Sequence, residues 1–140
     1  MTLYFDSSAL VAHYFIEAHT ASVIRAVSQS TLFCTNQTTY AEIRAAFAQL
    51  RHQKRLVGKR YYEALAQFEK DWEDFDRRNI TDGLVRSAGT LAEAYILKGY
   101  DSIHLASALI FQQFYSDLQF LSYDVRLNRV ASSAGLVLWT

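Results

Sequence analysis

The sequence predicts an α/β domain of three layers, in which helices cover both faces of a central, mostly parallel sheet of four or five strands. The first observation is the Leu-Tyr-Phe segment at residues 3–5, which has no polar break and is typical of a strand buried on both faces. The second is that strand-like segments alternate with segments of helical periodicity, as in right-handed βαβ units.

Composition limits the class of protein. The chain has 140 residues, 51% of them hydrophobic, and a formal net charge of zero, which fits a single domain over residues 1–140. No apolar run could span a bilayer, there is no signal-peptide pattern and Cys34 has no disulfide partner, so we expect a cytoplasmic protein with no membrane partner. The neutral charge gives no global indication of nucleic-acid binding, which would have to depend on local patches.

The first strand is followed directly by Asp6, Ser7 and Ser8. We expect one of the serines to cap the next helix, which places Asp6 at the carboxyl end of the strand. Ligands of open α/β sheets bind at this edge. The local sequence leaves open the alternative that Asp6 is only a turn or capping residue. Two short helices are predicted next, over residues 9–15 and 20–27.

A second strand is predicted over residues 31–35, and the polar residues 36–39 offer caps for a helix over residues 40–50. Glu42 lies in the first turns of that helix, beside an apolar stripe that contains Ile43 and Phe47. The helix macrodipole favours an acid at this position, so Glu42 alone indicates no function.

Charge is segregated in the next part of the chain. Residues 43–62 contain six basic residues and no acid, whereas residues 63–76 contain six acids and one lysine. Gly58 is expected to separate two helices, of which the second runs from about residue 60 to about residue 75. An antiparallel helix pair would let the two blocks neutralise each other in part, so a solvated charged face is the favoured interpretation. Binding of nucleic acid or of an acidic partner is the less favoured one.

A short strand over residues 79–81 is predicted to precede a helix that is capped by Thr81 or Asp82 and stops at Gly99. The following helix should have Asp101 or Ser102 at its cap.

Near the end of the chain, a strand over residues 118–122 should lead to Asp124 and a short helix over residues 125–131, which repeats the arrangement at Asp6. A last strand is predicted over residues 136–139, after Gly135.

Four acids fall at the same kind of junction: Asp6 and Asp124 follow strands, and Glu42 and Asp101 begin helices. A parallel sheet places such junctions on one edge, so we expect the four carboxylates to lie close together. They would raise one another's pKa unless cations neutralise them. Hard oxygen ligands select Mg²⁺ or Mn²⁺, ions that polarise a phosphodiester and help to ionise an attacking water.

Other chemistries find less support. The sequence has no glycine-rich phosphate loop, no CxxC pair and no HExxH motif. We expect Cys34 to be a core residue and His104 to be a hydrogen-bonded structural histidine rather than a metal ligand.

Four segments resemble the acidic motifs of the PIN-domain family, most closely those of the small VapC-type toxins. They are residues 4–11 (YFDSSALV), 41–44 (AEIR), 100–108 (YDSIHLASA) and 121–127 (LSYDVRL), in the family's order and spacing over nearly the whole chain. The resemblance implies a PIN-like fold and a metal-dependent ribonuclease that is often dimeric and is held inactive by a small VapB-like antitoxin. Tyr123 is a departure, because the family often has a smaller or differently shaped residue before the fourth acid.

Carried over by position, the resemblance makes Asp6, Glu42, Asp101 and Asp124 metal ligands or acids just behind the ligands, with Ser8 as a polar support beside the metal. The resulting hypothesis is an endoribonuclease toxin that uses Mg²⁺ or Mn²⁺ to hydrolyse RNA. The alternative is an inactive PIN-like binding or scaffold module, and the presence of all four acids favours the enzyme. A structure-specific DNA nuclease would be expected to have insertions that so short a chain lacks.

Two further expectations concern partners. If the basic block lines the entrance to the site, Arg44, Arg51, Lys54 and Arg55 are the residues that would contact RNA. We also expect a symmetric homodimer, because the helices around Tyr61, Tyr62 and Phe68 carry more apolar surface than a small sheet needs to cover.

Overall fold

A computed structural model describes all 140 residues and confirms the predicted fold class. Five strands form one sheet in the order β3-β2-β1-β4-β5, and every neighbouring pair is parallel. The strands are β1 Thr2–Phe5, β2 Leu32–Asn36, β3 Asp76–Arg78, β4 Leu118–Leu121 and β5 Val137–Leu138. The helices are α1 Ser7–Tyr14, α2 Thr20–Ser28, α3 Thr39–His52, α4 Gly58–Trp72, α5 Asp82–Tyr95, α6 Gly99–Phe114 and α7 Val125–Ser133. None of these helices has the length and apolar character of a membrane span.

The central strand β1 separates two hydrophobic layers because its side chains alternate between the faces of the sheet. Leu3 and Phe5 pack with residues of α1, α2, α3 and α4. Tyr4 points to the other face, where it packs with Cys34 and with residues of α6 and α7. Cys34 is fully buried there, as predicted. Strand order reverses at β1, which pairs with β2 on one side and β4 on the other, so this strand marks the topological switch point.

The third strand differs from the prediction. It covers Asp76–Arg78 instead of residues 79–81, and it pairs only with β2. An edge strand tolerates charged residues because only one side of it is paired, so hydrophobicity is a poor guide to its position. Thr81 caps α5 as predicted, by accepting a hydrogen bond from the Leu84 N–H at 3.1 Å.

The junction between α5 and α6 also differs from the prediction. Gly99 does not stop a helix but is the first residue of α6, and neither Asp101 nor Ser102 caps that helix, since Lys98 holds the capping position. The left-handed residue that ends α5 is Ile96, with φ 55°, whose N–H donates to the Ala92 carbonyl. Asp101 therefore lies inside the first turn of α6.

The helix pair α3 and α4 explains part of the charge segregation. Two ion pairs join the blocks: Arg44 with Glu69 at 2.9 Å, between the two helices, and Lys59 with Glu63 at 3.6 Å, within α4. The aromatic residues that suggested a dimer lie mostly inside the chain, where Phe68 is fully buried and Tyr61 nearly so, and only Tyr62 is exposed. The apolar face of α4 is thus covered by the chain itself, and the homodimer stays a prediction without that argument.

Candidate active site

The candidate site lies at the carboxyl edge of the sheet, where helix starts meet the ends of the two central strands. Asp6 directly follows β1 and Ser122 directly follows β4. The two strands pair in register up to Phe5 and Leu121, and the Asp6 N–H donates to the Leu121 carbonyl at 3.2 Å. This continuation of the ladder places the Asp6 and Ser122 side chains next to each other.

Asp6 is buried and held by three donors. Its Oδ1 accepts from the Ser8 hydroxyl at 2.7 Å and from the Ala9 N–H at 2.9 Å, and its Oδ2 accepts from the Ser122 hydroxyl at 2.5 Å. Asp6, not Ser7 or Ser8, is therefore the N-cap of α1. Burial raises the pKa of Asp6, and the charge of His104 and these hydrogen bonds offset part of that rise.

Ser8 and Tyr123 connect this carboxylate to the neighbouring loop. The Ser8 hydroxyl, which donates to Asp6, accepts from the Tyr123 N–H at 3.1 Å. The Tyr123 ring stacks on His19, with ring centroids 4.0 Å apart and planes 11° from parallel. Asp124 then caps α7 through a 3.0 Å hydrogen bond from the Leu127 N–H to its Oδ1. The large residue before the fourth acid is thus accommodated by stacking.

Asp101 and Asp124 line one small cavity. It has a volume of about 140 Å³ and also includes the basic residues Lys98 and Arg126. The Arg126 guanidinium donates to the carbonyl of Ile96, which fixes it beside the cavity. Burial and the negative charges of Asp124 and Asp6 raise the pKa of Asp101, against smaller opposite effects of His104 and Lys98. Asp101 is therefore close enough to both Asp6 and Asp124 to be repelled by them.

Glu42 is held differently. Its Oε1 lies 2.9 Å from Nε2 of His104, whose Nδ1 lies 2.9 Å from the hydroxyl of the buried Tyr4. Ser7 also lies within hydrogen-bond distance of His104, at 3.3 Å. Burial raises the pKa of Glu42, but the hydrogen bond and charge of His104 and the hydrogen bond from Ser7 outweigh that effect, so the pKa is lowered overall. His104 is the hydrogen-bonded histidine that the sequence predicted.

Asp6 and Asp124 thus lie near Asp101 and raise its pKa, whereas the fourth predicted acid, Glu42, is hydrogen-bonded to His104. As the side chains stand, no three His, Cys, Asp or Glu residues form a group that could hold a metal ion.

The basic residues proposed to contact RNA lie elsewhere. Arg44 is engaged with Glu69. Arg51 stacks on Tyr61, 4.6 Å from the ring centroid, and it lies about 13 Å further along α3 than Glu42. Lys54 and Arg55 follow the end of that helix. None of the three residues at that end lies beside the acids.

Four residues of the site were not singled out as part of it by the sequence: Ser7, Lys98, Ser122 and Arg126. Ser122 carried a signal, since it stands two residues before Asp124 at the end of a predicted strand. Lys98 and Arg126 had none, because only the fold brings the starts of α6 and α7 together.

Comparisons with known proteins agree with this fold. The family model described as PIN domain matches residues 3–133. Two curated proteins of Mycobacterium tuberculosis strains, Ribonuclease VapC45 and Ribonuclease VapC49, are each 32% identical to this chain over 95% of it and 91% of their own length. The crystal structure of Mycobacterium tuberculosis VapC20, described as a sarcin-ricin loop cleaving toxin, superposes with a TM-score of 0.61 over 96% of both chains. At 14% identity that structure supports the fold alone.

The chain is a parallel α/β domain with carboxylates at the switch point of its sheet. It belongs to the PIN domain family. Within it, the curated relatives that it resembles over nearly their whole length bear the name VapC.

Proposed function

We propose that the chain is a Mg²⁺- or Mn²⁺-dependent endoribonuclease and the toxin of a type II toxin–antitoxin pair. The observation that supports the proposal best is uncompensated negative charge at one edge of the sheet. Asp6, Asp101 and Asp124 take part in none of the ion pairs of the chain, and burial together with repulsion from Asp124 and Asp6 raises the pKa of Asp101. The matched relatives are named ribonucleases, which supports RNA as the substrate.

The donors present fit a hard divalent cation in chemistry and charge. A carboxylate has about four acceptor positions, and Asp6 uses three of them for hydrogen bonds, which leaves one on Oδ2. Asp124 uses one, for the cap of α7, and Asp101 uses none. Asp101 and the free oxygens of Asp6 and Asp124 would hold the ion once these side chains move together, since as they stand no three of them form a metal-binding group. When bound, it would supply a lowered pKa for the attacking water and charge neutralisation at the phosphate.

The residues of the chain have defined tasks in such a reaction. Three hydrogen bonds keep the Asp6 carboxylate in one orientation, and they come from Ser8, Ser122 and the Ala9 N–H. The carboxylate therefore need not reorient during catalysis. Asp101 takes part in no ion pair, so the charge of its carboxylate would be available to the ion. Lys98 and Arg126 line the same cavity and attract the substrate phosphate.

The alternative is a PIN-like binding or scaffold module without hydrolytic activity. Glu42 favours it, because its hydrogen bond to His104 keeps one of the four acids out of the group formed by the other three. The proposed ribonuclease therefore requires a site that can work while Glu42 is paired with His104.

Incubation of the purified chain with single-stranded RNA tests the proposal. We expect cleavage that needs Mg²⁺ or Mn²⁺, stops with EDTA and is lost in Asp101→Asn, because that change removes a ligand charge without opening a cavity. Glu93→Gln removes an exposed acid from α5 and is the matched control that should cleave normally. No cleavage by the wild type would reject the enzyme, and undiminished cleavage by Asp101→Asn would reject the role of Asp101 in the metal site.

The partner proposal is a small VapB-like antitoxin that places an Arg or Lys among the carboxylates and competes with the metal. Expression of the chain alone should slow bacterial growth, and co-expression of the antitoxin should restore it. Normal growth with a well-expressed, intact protein would favour the scaffold. We also propose a homodimer, which light scattering at micromolar concentration can test.

A further inference from the structure

The edge strand β3 ends in two adjacent arginines, Arg77 and Arg78, that no acidic side chain pairs. The ion pairs of the chain involve Arg44, Lys59, Arg86, His104 and the N-terminus, but neither of these two residues. The positive charge at the end of β3 is therefore available to a ligand.

The sheet places this charge level with the catalytic edge. Arg78 is in register with Asn36 of β2, and β2 pairs with β1 so that Tyr4 faces Cys34. Two residues further along both strands, Asp6 stands level with Asn36 and hence with Arg78. Two strand spacings of about 4.8 Å separate β1 from β3, so the backbones of Asp6 and Arg78 are roughly 10 Å apart.

Aromatic side chains hold both guanidinium groups. Arg77 lies over the Trp72 ring, 5.0 Å from its centroid, and Arg78 lies over Phe111 and Phe114, at 4.9 and 5.2 Å. The Nε of Arg78 is buried and has no hydrogen-bond partner. Stacking restricts the planes of the two groups but satisfies none of their N–H donors, which leaves those donors for an anion.

A cavity opens beside Arg78, on the face of the sheet that α5 and α6 cover. Arg77 joins its lining from β3, although the Arg77 guanidinium stacks on Trp72 at the other face. The cavity has a volume of about 180 Å³ and is lined by Arg77, Arg78, Asn79, Thr81, Leu84 and Ile110. The Thr81 hydroxyl oxygen accepts from the Leu84 N–H, so its hydrogen is free to donate, and the Asn79 side chain is exposed. Cationic and neutral donors thus surround a space with no carboxylate in its lining.

We propose that this cavity binds backbone phosphates of the RNA, close to the bond that is cleaved. The inference rests on the proposed ribonuclease function and extends it, because a neutral protein with an acidic site needs cations elsewhere to hold a polyanion. Arg77 and Arg78 supply the charge, and Asn79 and Thr81 supply neutral hydrogen bonds. This site is a second candidate contact in addition to the basic end of α3, which lies further from the acids along that helix.

Salt-dependent RNA binding by an Arg77→Gln, Arg78→Gln double variant tests the site. Fluorescence anisotropy with a labelled single-stranded RNA, in an Asp6→Asn background that prevents cleavage, gives the dissociation constant from about 0.05 to about 0.5 M salt. Each lost phosphate contact lowers the slope of log affinity against log salt by about 0.7 for a single strand, so the double variant should lose about 1.4.

The matched control is Arg25→Gln, Lys70→Gln in the same background. These exposed residues lie near the ends of α2 and α4, which precede strand starts and so lie at the opposite edge of the sheet. The control loses the same formal charge and should keep the slope to within a few tenths. An equal loss in control and test variant would mean that only net charge matters, and it would overturn the site.

Packing of Arg78 between two phenylalanine rings could make the double variant unstable, so two further variants are included. Arg77→Gln alone should lose about 0.7 of slope, and Arg77→Lys, Arg78→Lys keeps the charge and should keep most of the slope. An unchanged slope in Arg77→Gln and in a folded double variant overturns the site while the ribonuclease stands. Conversely, if the salt slope falls as expected but the wild type never cleaves RNA, the phosphate site stands and the proposed ribonuclease is rejected.

Discussion

Asp6 is the residue at which function and stability conflict most directly. Its side chain is only 4% exposed and its pKa lies above the ordinary 3.8, because burial disfavours the ionised form. A folded-state pKa above the unfolded one means that the group stabilises the fold most below pH 3.8. That contribution is lost as the pH rises from there through the folded-state pKa.

Asp6→Asn should therefore stabilise the metal-free protein at neutral pH, by about 1 kcal/mol or roughly 3 °C in Tm. The amide oxygen keeps the hydrogen bonds from Ala9 and Ser8, and the amide nitrogen can donate to the Ser122 oxygen in place of the bond that Ser122 donates to Asp6. Thermal unfolding with EDTA, from about pH 4 to about pH 8, should show a gain that grows with pH. Asp74→Asn, an exposed acid, is the control that should change Tm little, and a lower Tm for Asp6→Asn at neutral pH would be the contrary result.

The sequence predicted where the candidate site residues lie better than it predicted which residues they pair with. Asp6, Asp101 and Asp124 do share one edge, as the strand–helix junctions predicted. The pairing of Glu42 with His104 depends on a tyrosine from β1, a serine from α1 and a histidine from α6 meeting at one point. Contacts between residues about 100 positions apart leave no local pattern.

At the scale of elements, helix starts carry the site, and two of the acids are also caps. Asp6 caps α1 and Asp124 caps α7, each through a hydrogen bond from the N–H three residues later. Capping by these acids and participation in a metal site therefore coexist, since a carboxylate has further acceptor positions.

A pair of substitutions separates the two tasks of Asp124. Asparagine caps a helix about as well as aspartate, so Asp124→Asn should unfold at nearly the wild-type temperature but lose most RNA cleavage. Asp124→Ala should lose cleavage and also about 1 kcal/mol of unfolding free energy. Equal stability of the two variants would contradict the cap, and full cleavage by Asp124→Asn would contradict the metal role.

Gly99 gives a test of the α5–α6 junction. A Cβ there would meet no atom within 4 Å, and the glycine is a helical residue instead of a left-handed stop. Gly99→Ala should therefore stabilise the fold, by about 0.5 kcal/mol in denaturant unfolding. Gly135→Ala is the contrast, because Gly135 has φ +100° and alanine there is strained. A clear loss of stability in Gly99→Ala would restore the sequence-based helix stop.

Helix and strand boundaries were predicted least well where the residue type does not indicate the local backbone conformation. Glycine is the usual residue after a helix, but here the left-handed position falls to the exposed Ile96, and nothing in the sequence marks it. The edge strand β3 escaped prediction because its three residues, Asp-Arg-Arg, have no strand-like hydrophobicity.

At the scale of the whole molecule, fold class and site location follow from one property, the parallel sheet. Apolar strands separated by helices predicted it, and the order β3-β2-β1-β4-β5 places the switch point at β1. The sequence did not predict where β3 lies at the edge of the sheet, so its two arginines were not among the basic residues expected to contact RNA. The carboxyl edge of the sheet thus has the acids in its centre and, to one side, Arg77 and Arg78, which form no ion pair.

The central claim is that the uncompensated charge of Asp6, Asp101 and Asp124 forms a divalent-cation site, and calorimetric titration of Mn²⁺ into the metal-free protein tests it most directly. The wild type should bind Mn²⁺ saturably, Asp101→Asn should bind at least about tenfold more weakly, and Asp74→Asn should match the wild type. Equal Mn²⁺ affinity of the wild type and Asp101→Asn, or no binding by the wild type, would contradict the account.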